Sequence, residues 1–413
     1  MKREPEKALV RSWATCFAMV FLLGMGVVAW ADPGSGSHRV SVECDRGETI
    51  TSALARNAES LEIEFTGTCH ESFEIQRDRV TLRGGNADAT IVGEVRVVNS
   101  QHVQLENFTV RNSPRIGVDV VDNSRVKLDG ITVRESGETG MRLTDSWVEV
   151  HDVSSLNNAA SGITTLRCTS GTFSGRVRAH GNVVGIVVGT GAGFNAVDRR
   201  EFTEFDIDTS GNGIGIIIQT GASLFVRDGV WRSNNNTAAG FVLAGNGSFA
   251  ELETTLEARN NGFAGGFVRD SSVWQTGSGS GVKRTFANNG VYGLRVESES
   301  TLDFDGALLT VSGNGVAGVS VDNSAVLLQG ATVQGHPQGD LALGFGSKAS
   351  FVGQNQFGTI QCDSTVLLRG GPACSSLSAT ATTPVEGPDV RAARETFEAI
   401  LRTALEAAGP SRR

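Results

Sequence analysis

The chain has 413 residues and a formal net charge of −9, and 52 of its residues are glycine, well above the usual fraction of about 7%. No Gly-X-Y period accompanies the glycine, which excludes a collagen helix. The hydrophobic content of 39% is too high for a disordered chain. The acidic balance lacks the basic patch of a nucleic-acid-binding protein, so we expect no nucleic-acid partner. The length suggests two or three domains, or one elongated repeat fold.

Residues 1–31 have the pattern of a secretory signal peptide. A basic start is followed by an uncharged apolar stretch over residues 13–28, and Ala29-Trp30-Ala31 supplies small residues around a cleavage point. A membrane anchor is the alternative, but the apolar stretch is short for a hydrocarbon core about 30 Å thick. We therefore expect cleavage after Ala31, no membrane span in the mature chain, and export to the periplasm or cell exterior of a bacterium.

The cysteines indicate disulfides. The mature chain keeps five, and the simplest pairing in an oxidising compartment is Cys44–Cys69 and Cys362–Cys374, which leaves Cys168 free. Each bridge would add about 2–3 kcal/mol of stability. A metal site is the alternative, but the chain has no Cys-x-x-Cys and no nearby histidine pair. We expect no metal site at the cysteines.

An internal repeat is the strongest pattern in the chain. A glycine opens an alternating apolar segment about every 25 residues, at positions 117, 140, 162, 185, 215, 240, 265, 293 and 318. In each unit a second segment of the form Ser-x-apolar-x-apolar and a third apolar segment follow, and an Asn-rich turn closes the unit. Alternation with period two predicts strands, and glycine or asparagine at the corners tolerates a positive φ.

One such unit cannot bury its apolar side chains alone, but stacked units can. With parallel strands about 4.8 Å apart, the repeat predicts an all-β, right-handed parallel β-helix. About eleven turns of three strands fit between residues 73 and 355, and they would form a rod roughly 50 Å long. Asparagines at equivalent corners would form a ladder of amide hydrogen bonds.

Over residues 61–375 the sequence resembles the right-handed β-helix repeat proteins of the pectin-lyase-like superfamily. The resemblance lies in repeated units such as Asn-Asn-Gly-Val-Tyr-Gly-Leu at 288–294 and Gly-Asn-Gly-Val-Ala-Gly-Val at 313–319. The resemblance implies a right-handed parallel β-helix fold. The superfamily includes pectate lyases, polygalacturonases, uronate epimerases, phage tailspikes and adhesins, and its enzymes usually act on the outer face of the first strand of each turn.

The remaining segments complete the expected domain organisation. Residues 32–60 form an N-terminal cap with a short helix over 49–58, and residues 61–375 form the β-helix. A polar linker over 376–388 precedes an amphipathic helix in the segment 389–413. One face of that helix is apolar and Asp389 can cap it.

Candidate catalytic residues follow from the strand that each repeat glycine opens. The residues one and three positions after the glycine point inward, and the residue two positions after it points outward. The outward positions include Asp119 and Arg142 on adjacent turns and Arg295 further along. These three are candidate catalytic residues, and an exposed ion pair is the alternative for Asp119 and Arg142. The acid motifs of polygalacturonases and alginate epimerases are missing.

A second column of polar residues closes the second strand of several turns. Stacked carboxylates there could bind Ca²⁺, but His151 and Gln329 interrupt the column, which favours solvated turns. We therefore expect no cofactor, with Ca²⁺ as the alternative. The column comprises Glu106, Asp129, His151, Glu253, Asp305 and Gln329.

The middle of the outward series is an apolar stripe formed by Val187, Ile217, Val242 and Phe267. Contiguous apolar surface is rarely left in water, so this stripe is a candidate binding surface. The C-terminal helix, the long segment 194–204, or a second copy of the chain or another partner could cover it. The last alternative would make the protein a homo-oligomer.

The sequence thus favours an exported β-helix protein with a non-catalytic binding, adhesion or envelope-scaffold role and a polysaccharide or protein partner. The alternative is a divergent polysaccharide lyase, hydrolase or uronate epimerase that acts on the first-strand face. The fold permits both functions.

Overall fold

The computed structural model describes residues 37–197, 206–276, 282–304, 308–371, 373–378 and 387–407. The predicted signal peptide and part of the predicted linker lie outside these residues. The described chain contains thirty-eight strands and two α-helices, α1 (Ile50–Leu54) and α2 (Pro388–Ala407). A single 3₁₀ turn spans Cys44–Arg46.

One sheet, sheet 1, takes one strand from each turn of the chain, and its neighbours pair in parallel. Its strands are β4 (Phe73–Ile75), β7 (Val95–Val98), β10 (Val118–Val121), β13 (Met141–Thr144), β15 (Ser161–Leu166), β17 (Val184–Val188), β20 (Ile214–Gln219), β22 (Ala239–Ala244), β24 (Ala264–Arg269), β27 (Tyr292–Glu297), β30 (Ala317–Asp322), β33 (Leu341–Gly344), β36 (Ile360–Asp363) and β38 (Ser376–Ser378).

Sheet 2 holds the other strands, which also pair in parallel with their equivalents in neighbouring turns. They are β1 (Ser37–Glu43), β2 (Ser60–Thr66), β3 (Thr68–Cys69), β5 (Val80–Gly84), β6 (Thr90–Val92), β8 (Val103–Glu106), β9 (Thr109–Arg111), β11 (Arg125–Asp129), β12 (Thr132–Arg134), β14 (Trp147–Leu156), β16 (Ser170–His180), β18 (Gly193–Val197), β19 (Asp206–Asp208), β21 (Ser223–Arg232), β23 (Phe249–Arg259), β25 (Val273–Thr276), β26 (Lys283–Ala287), β28 (Thr301–Phe304), β29 (Leu308–Ser312), β31 (Ala325–Gln329), β32 (Thr332–Gln334), β34 (Lys348–Val352), β35 (Gln356–Phe357) and β37 (Leu367–Arg369).

The expected all-β parallel β-helix is confirmed, but its length was underestimated. Sheet 1 has fourteen strands in the described residues, and hence about fourteen turns rather than about eleven. Twelve of these strands, from β4 to β33, lie within residues 73–355, for which about eleven turns are predicted, and β36 and β38 continue the stack beyond that range. These last turns lack the Asn-Gly pattern that marks the central turns.

The inward side chains form one continuous core along the inside of the solenoid. In β10, for example, Val118 and Val120 belong to this core, as their positions after Gly117 predict. Aromatic rings fill the middle turns, where Phe173 and Phe194 stack with centroids 3.8 Å apart. Burial of these side chains requires the stacked neighbours, because one turn alone would leave them in water.

The asparagine ladder is present at the corner before sheet 1. Asn158 donates from Nδ2 to Oδ1 of Asn182 over 3.0 Å, and Asn236 donates in the same way to Asn261 over 3.0 Å. The ladder ends where His336 takes the asparagine position, and its Nδ1 accepts a hydrogen bond from the backbone of Asn314. These amides satisfy backbone N–H groups that the turn would otherwise bury without partners.

Disulfides close both ends of the solenoid. Cys44 bonds to Cys69 and Cys362 bonds to Cys374, as expected. The expectation that Cys168 is free is wrong, since Cys168 is disulfide-bonded. Disulfides of this kind are usual in exported proteins. Among the described helices, none is long and apolar enough to cross a membrane.

Candidate functional site

The outward residues of sheet 1 form one column along the solenoid, because the parallel strands pair in register. The column is polar in the first turns, apolar in the middle and polar again toward the C-terminus. From β4 to β36 its members are Glu74, Arg96, Asp119, Arg142, Thr164, Val187, Ile217, Val242, Phe267, Arg295, Ser320, Ala342 and Gln361.

The first polar stretch is a ladder of ion pairs around a buried carboxylate. Asp119 is only 1% exposed. Arg142 donates to both of its carboxylate oxygens over 2.9 Å, and Nε of Arg96 lies 3.3 Å from Oδ2. Arg96 also bonds to Glu74 over 3.2 Å. Both oxygens of this buried carboxylate are thus bonded to Arg142, and one also lies close to Arg96, as in a structural ion pair.

Helix α2 covers the apolar stripe. The buried side chains of Val187, Ile217, Val242 and Phe267 share one cluster with Phe397, Leu401 and Ala404 of the helix. Helix α2 begins at Pro388, so Asp389 lies in its first turn instead of capping it. Leu405, near the end of the helix, is 40% exposed.

Arg295 is buried and has several partners, which the sequence did not indicate. Its side chain is 4% exposed. It donates to Glu297 over 3.1 Å, to the hydroxyl of Ser320 over 2.5 Å and to Asp322 over 3.3 Å. Glu297 and Asp322 each lie two residues after a member of the outward column and therefore share its face. The same period of two in the sequence could have identified them.

These acids border a groove along the turns that follow sheet 1. One cavity of about 820 Å³ is continuous with a second of about 580 Å³, because Ser298 and Asn323 line both. We call the two cavities together the edge groove. Its lining residues are Gly245, Asn246, Asp270, Ser271, Glu297, Ser298, Glu299, Asp322, Asn323, Phe345, Gly346, Asp363, Ser364 and Thr365.

Two carboxyl groups in the groove have opposite environments. Burial raises the pKa of Asp322; Arg295 opposes this effect, whereas Glu297 and Asp363 add to it. Burial also raises the pKa of Asp363, but hydrogen bonds outweigh it and leave the pKa below its usual value. The donors are Thr365, through its hydroxyl over 2.5 Å and its backbone over 2.8 Å, and the backbone of Phe345 over 2.6 Å.

Phe345 presents an aromatic ring to the groove. It is 47% exposed, and it is the one aromatic residue among the strongly exposed large hydrophobic side chains of the described chain. Its φ of 48° lies in the left-handed region, which is unusual for a bulky residue. Other turns have a positive φ at the same corner, as at Asp145, Ser298 and Asn323, so this backbone conformation belongs to the repeat. An exposed ring beside polar groups can pack against the apolar face of a sugar.

The second polar column of the sequence does not gather into a cation site within the described chain. Glu106 bonds to Arg83 over 2.8 Å, and Asp129 lies 2.9 Å from Lys127. Asp305 lies outside the described residues. In the part of the chain that the structure describes, no group of three or more His, Cys, Asp or Glu residues is placed to hold a metal ion.

Comparison with known proteins adds three structures of low similarity. The alginate lyase of Paenibacillus sp. has 14% identity and a TM-score of 0.40, covering 61% of this chain and 94% of its own. The A-module of the Azotobacter vinelandii mannuronan C-5 epimerase AlgE4 has 13% identity and a TM-score of 0.44, covering 80% and 94%. The Agl-KA catalytic domain has 13% identity and a TM-score of 0.35, covering 83% and 68%.

No protein-family model matches the chain, and no curated protein matches it. At these identities and TM-scores, the three similarities give no information on the activity of this chain. The class of protein is defined by the fold and the site: a disulfide-closed parallel β-helix with a helix packed across its first-strand face and an acidic groove beside that helix.

Proposed function

We propose that this chain is an exported β-helix protein that binds a glycan chain, without cleaving it, in the edge groove. The observation that carries the proposal is the exposed ring of Phe345 in a cavity bordered by carboxylates and hydroxyls. Ligand sites commonly combine an apolar wall with a few well-placed polar groups. The signal pattern of residues 1–31 and the disulfides support export.

The shape of the groove suits a linear polymer. Its lining comes from the turns after six consecutive strands of sheet 1, from β22 to β36. With about 4.8 Å between neighbouring strands, these turns extend over roughly 24 Å along the solenoid. Helix α2 occupies the adjoining face, so a chain would lie along the turns instead of across the middle of sheet 1.

The charge of the groove favours a glycan that carries free amino groups. Its lining contains five carboxylates and, in the described chain, no lysine, arginine or histidine. The neighbouring guanidinium group of Arg295 is already occupied by Glu297, Ser320 and Asp322. Asp270 is likewise paired with Arg269, so the charge without a described ion pair is that of Glu299 and Asp363. These two carboxylates would repel an anionic chain and could form ion pairs with an amino sugar.

Hydrolysis of a glycan is a second candidate function, supported by the two carboxyl groups with opposite environments. Asp322, with its raised pKa, would supply a proton to the leaving oxygen, and the ionised Asp363 would act as base or nucleophile. Asp119 is less suited to this chemistry because it is 1% exposed and both of its carboxylate oxygens are bonded to Arg142.

Calorimetric titration with oligosaccharides of equal length tests the binding proposal. We expect a glucosamine oligomer to bind and Phe345→Ala to weaken that binding. Phe225→Ala is the matched control, because Phe225 is a partly exposed aromatic on sheet 2, next to Phe249. Equal affinity of Phe345→Ala and wild type would contradict the proposal. Chromatography of the same mixtures, with Asp322→Asn for comparison, reveals hydrolysis.

A further inference from the structure

We infer that helix α2 is a reversible strap whose docking is coupled, through Arg269, to occupancy of the edge groove. The coupling rests on the proposed function, because it requires a ligand in that groove. The strap itself rests on the contacts of α2 alone.

Helix α2 is attached to the side of the solenoid and takes no part in its strand ladder. Its described contacts with the stripe come from side chains, with Phe397, Leu401 and Ala404 fully buried and Val390 and Ile400 partly buried. Removing the helix would break no strand pairing in either sheet. Local opening of such a unit costs less than global unfolding.

The helix lies along the solenoid beside the groove. Phe397 packs against Phe263, which directly precedes β24, whereas Ile400, about one helical turn later, approaches Gly213, which directly precedes β20. Later residues of the helix therefore lie over earlier turns. With 20 residues, α2 is about 30 Å long, which matches the rise of six strand spacings. Its Glu398 bonds to Arg269, which directly precedes the groove residue Asp270.

Arg269 joins the stripe, the helix and the groove. Its Nη1 donates to Oε1 of Glu398 over 2.9 Å, and its Nε donates to Oδ2 of Asp270 over 2.9 Å. Its guanidinium carbon lies 5.9 Å from the ring centroid of Phe267 in the stripe. Asp270 lines the groove. One side chain that is 26% exposed thus contacts all three parts of the molecule.

The sign of the coupling follows from the charges. With α2 docked, Glu398 balances Arg269, and Asp270 can interact with a cationic ligand. With α2 undocked, Arg269 loses Glu398, and its positive charge is left with Asp270 at the groove. Undocking thus disfavours a ligand that carries amino groups. By linkage, such a ligand must stabilise the docked helix by the same factor.

Two measurements on the full mature chain test the coupling with a glucosamine oligomer. Calorimetric titration should show that Glu398→Gln weakens binding by about fivefold or more, the lower end of typical coupling. Glu395→Gln is the control, since Glu395 lies exposed on the same helix. Hydrogen exchange should show slower exchange of α2 when ligand is present.

Each outcome has a distinct meaning. Equal affinity of Glu398→Gln and Glu395→Gln, together with ligand-independent exchange in α2, would overturn the coupling while leaving glycan binding intact. Absence of binding to wild type would overturn the proposed function and the coupling with it. Hydrogen exchange of the ligand-free protein then still tests whether α2 undocks reversibly. Exchange of α2 as slow as that of sheet 1 would overturn reversible undocking.

Discussion

Replacement of Phe397 by alanine should release helix α2 and leave the solenoid folded. Phe397 is fully buried, and its ring centroid lies 4.9 Å from that of Phe263 and 4.8 Å from that of Phe267. Truncation of a buried phenylalanine to alanine costs about 3–5 kcal/mol. Phe397 and Leu401 are the two large side chains of the described helix that are fully buried, and burial of each contributes about 1.5–3 kcal/mol. The substitution therefore removes most of the docking free energy.

Hydrogen exchange measured by peptide mass spectrometry separates the helix from the solenoid. In Phe397→Ala we expect α2 to exchange at nearly the rate of an unfolded peptide while the strands of sheet 1 keep their protection. Binding of an apolar dye should rise, because the stripe becomes accessible. Leu405→Ala is the matched control, since Leu405 lies on the same helix but is 40% exposed.

Two results would refute this reasoning. Unchanged protection of α2 in Phe397→Ala would show that the aromatic contacts do not hold the helix. A loss of 3–5 kcal/mol in the global unfolding free energy, with α2 and sheet 1 opening together, would show that the helix is an integral part of the solenoid.

Three further outcomes follow from the contacts. Asn236→Ala should lower the free energy of unfolding, measured in urea, by about 2–4 kcal/mol, because it removes three buried hydrogen bonds of the asparagine ladder. A change below 0.5 kcal/mol would show that the ladder does not stabilise the solenoid. Burial raises the pKa of Asp208, but hydrogen bonds from His180 and Ser210 outweigh it and set the pKa at about 2. Asp208 therefore contributes about 2 kcal/mol to the free energy of unfolding above pH 4, and this contribution is lost as the pH falls toward 2. Asp208→Asn should lower the free energy of unfolding at pH 6 and have almost no effect on it near pH 2. An effect that does not change with pH would refute this. Asp119→Ala should lower the melting temperature, because it leaves Arg142 unpaired, but should not alter glycan binding; lost binding would move the site to the first turns.

The sequence predicts the fold well in the turns where the same residue type, glycine or asparagine, recurs at the same corner. Glycine spacing placed Val118 and Val120 in the core and Asp119 on the outer face, and the corner asparagines formed the expected ladder. The last strand, β38 (Ser376–Ser378), falls in the predicted linker over 376–388, because the sequence there lacks that repeated corner. Its position depends on stacking against neighbours, which a periodic pattern cannot report.

The edge groove was not found from the sequence because it depends on tertiary contacts. The predicted outward column contains only the residue two positions after each repeat glycine. Glu297 and Asp322 lie four positions after their glycines and are therefore not part of that column. Arg295 was expected to stand alone, although its partners come from its own and the next turn. Exposure of Phe345 depends on how β33 ends, and no local pattern indicates it.

The central claim is that the edge groove binds a glycan with free amino groups. Calorimetric titration of a glucosamine oligomer, its fully N-acetylated form and a uronate oligomer of equal length tests it most directly. We expect the glucosamine oligomer to bind tightest, with affinity that falls as salt is added and with weakened binding in Phe345→Ala. Tighter binding of the uronate oligomer, or an affinity that Phe345→Ala does not change, would contradict the account.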